Sequence, residues 1–115
     1  MAHDSHNIIA VGCDDESISQ AINAVIAEKG GVSISRAGTV SILPLPVAGI
    51  MSDQDAYAVA RRYSQLDRVS KEMGSTLGAP FMTLSFMALL VIPMLKLSDR
   101  GLFNGNSFEF TPLAC

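Results

Sequence analysis

Pro44 and Pro46 flank a single leucine at the end of an alternating run, and they restrict the fold more than any other feature of the chain. Proline donates no backbone N–H and fixes φ, so no central strand can continue through these positions. The sheet that precedes them must end there, and residues 45–51 become an extended connection. Just upstream, Val32-Ser33-Ile34-Ser35-Arg36 alternates with period two, Ala37-Gly38-Thr39 supplies a turn and Val40-Ser41-Ile42-Leu43 alternates again. This pattern predicts a β-hairpin with its serine face turned to water.

Helical periodicity brackets the hairpin. Ile18, Ala21, Ile22, Val25 and Ile26 recur at helical spacing, with Asp14 or Asp15 as cap and Gly30-Gly31 as stop. A second stripe of Ala56, Val59, Ala60, Tyr63, Leu66 and Met73 follows the capping pair Ser52-Asp53, with most of the charged residues facing outward, and Gly74 ends it. Ile8-Ile9-Ala10-Val11 reads as a short buried strand fed by a polar opening segment. Residues 81–92 are apolar at every period, so pattern alone leaves helix and strand open; length favours helix. Turn signals at Ser98-Asp99-Arg100-Gly101 and Asn104-Gly105-Asn106 lead to a final alternating strand at residues 107–111. The expected architecture is α/β in the broad sense (α+β), a single layered domain with a mixed β-sheet packed by two to three helices.

Length and charge remove several function classes. A chain of 115 residues is one domain, and 49% hydrophobic residues supply a core, so disorder is excluded. The net charge is -3 and only Arg61-Arg62 are adjacent basic residues, which leaves no basic stripe for nucleic acid. The longest apolar stretch, residues 81–95, is interrupted by Thr83, Ser85 and Pro93 and falls short of the roughly 18 apolar residues of a membrane span, so it reads as core. Met82, Met87 and Met94 in that stretch, with Met51 and Met73, read as core and interface filling. The opening residues carry no secretory pattern, so Cys13 and Cys115 read as thiols in a reducing cytoplasm, and Cys13 as a small core residue.

Candidate chemistry is sparse. His3, Asp4 and His6 place two imidazoles and a carboxylate within four residues, a pattern able to bind a metal or move protons. These are the only two histidines, so a complete metal centre would need carboxylates or another polypeptide. An ordered polar loop, or a loop bordering a binding site, fits as well. Asp53 and Asp55 stand where a helix N-terminus favours acids. The serines lack a nucleophile-elbow pattern, and Gly30-Gly31 lacks the lysine of a phosphate loop.

Four ordered blocks add what single residues cannot. They are residues 2–9 (Ala-His-Asp-Ser-His-Asn-Ile-Ile), residues 43–53 (Leu-Pro-Leu-Pro-Val-Ala-Gly-Ile-Met-Ser-Asp), residues 80–86 (Pro-Phe-Met-Thr-Leu-Ser-Phe) and residues 97–103 (Leu-Ser-Asp-Arg-Gly-Leu-Phe). Together they closely resemble the carboxy-terminal domain of bacterial adenine deaminases, in the amidohydrolase superfamily, over residues 1–115. The resemblance implies a fragment of a larger multidomain enzyme that hydrolyses adenine to hypoxanthine and ammonia in purine salvage, with manganese or iron held in a barrel outside this chain. It also implies that the barrel is this domain's partner, that adenine is the parent's substrate, that a homo-oligomer is compatible, and that the isolated chain is inactive. By this analogy His3, Asp4, His6, Ser52 and Asp53 lie on loops near the purine pocket or a domain interface. Leu90 stands where the family pattern has proline, Asn104 replaces an aspartate, and Ala114-Cys115 is an unfamiliar end. A stand-alone interaction module that kept the fold without catalysis is the alternative. A membrane-associated protein using residues 81–95 is a third.

Overall fold

In the computed structural model, which describes residues 6–113, Asp14 starts helix α1 (Asp15–Ala27) by accepting the Ser17 N–H at 2.7 Å. The helix ends where Gly30 N–H donates to the Val25 carbonyl. Gly30 has φ +141°, and a Cβ there would lie 2.6 Å from the Gly49 carbonyl oxygen, so the helix exit and residues 47–51 meet only because both carry glycine.

Strands β1 (Gly31–Arg36) and β2 (Thr39–Pro44) form the expected antiparallel hairpin, with Arg36 opposite Thr39. Ala37 (φ 50°) and Gly38 (φ 76°) are both left-handed, the two-residue turn whose twist matches paired strands. The serine face is not wet. Ser33 Oγ donates to the Ala21 carbonyl and Ser35 Oγ to Gln20 Oε1, each at 2.8 Å, and Ser35 is buried. Small hydroxyl side chains let α1 lie close on this face while their polar atoms find partners on the helix.

Helix α2 (Ala56–Glu72) covers the opposite face, where Leu43 and Leu66 are buried. Its cap is Asp55, which accepts the Ala58 N–H at 3.1 Å, and not Ser52-Asp53. Ser52 instead accepts the Gln54 N–H in a local turn. Arg62 Nε donates to the Ile42 carbonyl on β2, and Arg36 pairs with Glu72 at 2.7 Å. Helix α3 (Pro80–Phe86) leans on α2 through a tilted Tyr63–Phe81 ring pair. It is shorter than residues 81–92 suggest, because residues 87–94 turn instead.

Three short strands, β3 (Leu95–Ser98), β4 (Gly101–Asn104) and β5 (Glu109–Thr111), form a second antiparallel sheet in that order. Of these, the sequence pattern predicts only the last. The turn signals at 98–101 and 104–106 are the hairpin connections of this sheet, and its centre is Phe103, set edge-on to Phe108 and Phe110. The α+β expectation therefore holds, with its strands divided between two small antiparallel sheets instead of gathered in one.

Several expected core segments lie at the surface. Residues 7–12 belong to no helix or strand among the described residues, and Val11 is 78% exposed. Cys13 is exposed, as are Met73, Met82, Met87, Met94 and Leu95. No residue of α1 is fully buried, despite its apolar stripe.

Candidate functional site

A groove of about 940 Å³ follows the outer edge of β1. Every residue of β1 lines it and none of β2 does. One wall is the stripe of α1 (Ile18, Ala21, Ile22, Val25 and Ile26). Other walls come from Phe81 and Leu84 of α3 and from residues 6–13. The lining is chiefly aliphatic, with Phe81 as its aromatic ring and Asp14, Lys29 and Arg36 as its charged groups.

Of the sequence-derived site residues, His6 is exposed and lines the groove next to the apolar run it precedes. His3 and Asp4 lie outside the described residues. Ser52 and Asp53 lie in the connection to α2 and do not line the groove, whereas their neighbours Ala48, Gly49 and Ile50 do. The structure thus leaves His6 apart from Ser52-Asp53 in this groove. The groove residues Ile22, Val25 and Phe81 escaped notice as a site because an apolar stripe reads as core until its covering partner is sought.

Among the described residues the donor set does not fit a metal centre. Among the described residues there is one imidazole, His6, and no group of three His, Cys, Asp or Glu side chains is placed to hold an ion. Two displaced pKa values both belong to packing. The Ser17 N–H holds the Asp14 carboxyl below its ordinary value, and burial, followed by the nearby Asp67 carboxylate, pushes the Tyr63 phenol up. Among the described residues no helix is long and apolar enough to cross a membrane.

The fold and the groove define a small α+β domain with an open apolar slot beside a strand edge. Comparison with known proteins shows the family. The family described as "Adenine deaminase C-terminal domain" matches residues 1–109, and the chain belongs to this family. It is 59% identical over 111 residues to an adenine deaminase of Salinibacter ruber and to one of a Sulfurovum species, covering 96% of this chain in each case. An adenine deaminase of Methanosarcina barkeri is 52% identical over 113 residues. The chain spans only about one fifth of the length of these relatives.

Proposed function

We propose that this chain is the carboxy-terminal part of a cytoplasmic adenine deaminase that hydrolyses adenine to hypoxanthine and ammonia in purine salvage, and that the chain alone is inactive. The observation that carries this reading is the nearly end-to-end match to one fifth of proteins named adenine deaminase. The sparse donor set described above supports the division of labour. Hydrolytic deamination needs an activated water and an acid for the departing ammonia, and a divalent metal such as manganese or iron, held by the remaining four fifths of the parent, would supply the former. This chain's contribution is to complete and support that catalytic part, with the parent's barrel as partner.

The test uses the full-length Salinibacter ruber relative with its matching 111-residue segment replaced by this sequence. With manganese present, the chimera is expected to deaminate adenine within about tenfold of the unaltered relative, about 1.4 kcal/mol of barrel support. The 115-residue chain assayed in parallel is expected to show no turnover. A folded but inactive chimera, or turnover by the short chain, overturns the reading.

A further inference from the structure

The groove has the dimensions and the chemistry of a missing strand. Helix α1 has 13 residues and spans about 20 Å, which is also the reach of the six residues of β1. In a two-residue hairpin closed at Arg36 and Thr39, hydrogen-bonded pairs alternate with outward-facing ones. Ser33 and Ser35 therefore direct their backbone N–H and C=O groups away from β2. No other strand among the described residues pairs with that edge. The equivalent edge of β2 is differently managed, since Arg62 occupies the Ile42 carbonyl. The two helices bounding the slot supply apolar surface on both faces of the position a new strand would take: α1 with Ile26 57% exposed on one side, and Phe81 and Leu84 of α3 on the other. Residues 8–11 form a further wall with strand-like composition and no strand partner.

We propose that this groove receives an apolar extended segment of the parent deaminase, from the polypeptide preceding this domain, added as a strand on the outer edge of β1. The occupant is argued from length: relatives carry about four fifths of their chain beyond this match, and residues 6–13 already run along the slot. Main-chain hydrogen bonds to Ser33 and Ser35 set its register, and alternate apolar side chains fill the α1 and α3 walls. This proposal rests on the reading of the chain as part of a longer deaminase.

Hydrogen exchange of residues 31–36, compared between the full-length chimera and the 115-residue chain held dilute enough to be monomeric, tests it directly. The amides of Ser33 and Ser35 are expected to exchange at least about tenfold more slowly in the chimera. Ile26→Lys is expected to leave the melting temperature of the short chain unchanged and to abolish that protection in the chimera, whereas Leu97→Lys, on the second sheet, leaves the protection intact. Equal exchange in the two proteins overturns the proposal. Protection that fades as the chimera is diluted assigns the slot to a second copy and also overturns it. The exchange readout is independent of turnover: an active chimera with an unprotected β1 edge removes the strand alone, and an inactive chimera with a protected edge removes the catalytic reading alone.

Discussion

Asp14 shows how much a single residue determines here. Its carboxylate caps α1 through the Ser17 N–H, and that hydrogen bond holds its pKa below the ordinary value of 3.8. A carboxyl whose folded pKa is depressed stabilises the fold above the unfolded value, and the contribution is lost as pH falls through the folded one. Asp14→Asn keeps a capping oxygen without the charge, so urea unfolding should find wild type more stable near about pH 7 and the gap closing towards about pH 3. Gly30 is the opposite kind of position, fixed by space. Gly30→Ala places a methyl against Gly49 at a φ that L residues rarely adopt, and thermal unfolding should show a loss of more than about 1 kcal/mol. The cap was legible as Asp14 or Asp15 because capping is local. The Gly30–Gly49 approach was not, because the two glycines stand nineteen positions apart.

At the scale of elements, α1, the hairpin and α2 were all readable, since their periodicities and stop signals lie within the segments themselves. The end of α3 was not. Residues 87–92 are as apolar as the helix before them, yet they turn, and an unbroken apolar run carries no signal for that change. The serine face of the hairpin was misread for a related reason: serine is usually wet, but here α1 supplies an acceptor for each hydroxyl. The principal hydrophobic anchor is Leu66, 1% exposed beneath the hairpin. Leu66→Ala should destabilise the chain by about 2–5 kcal/mol in chemical denaturation, because truncation leaves a cavity where α2 packs on the hairpin beside the buried Leu43. Asp55→Ala should cost about 1 kcal/mol in the same measurement through loss of the α2 cap.

The whole molecule is open for its size. Its accessible surface is 7724 Å², where a folded monomer of 12.2 kDa is expected to expose about 6,100 Å². Its radius of gyration is 15.3 Å, against about 13 Å for a chain of this length. Exposed apolar side chains on α1, α3 and residues 8–11 account for this in kind, and such a surface seeks a partner. The isolated chain should therefore sediment above 12.2 kDa as its concentration rises, and Ile26→Lys should return it towards the monomer. Sedimentation equilibrium over a concentration series checks both.

Local order was thus settled by the sequence: where α1 and α2 start, where the hairpin turns, and where Pro44 forbids more strand. Those outcomes depend on contacts a few residues apart, and so does the family resemblance carried by four short blocks. Only the tertiary structure decided which apolar stripes stay uncovered, how the strands divide into two sheets, and that the edge of β1 faces a slot. A stripe's pattern states that it will be buried; what buries it depends on polypeptide that arrives from elsewhere.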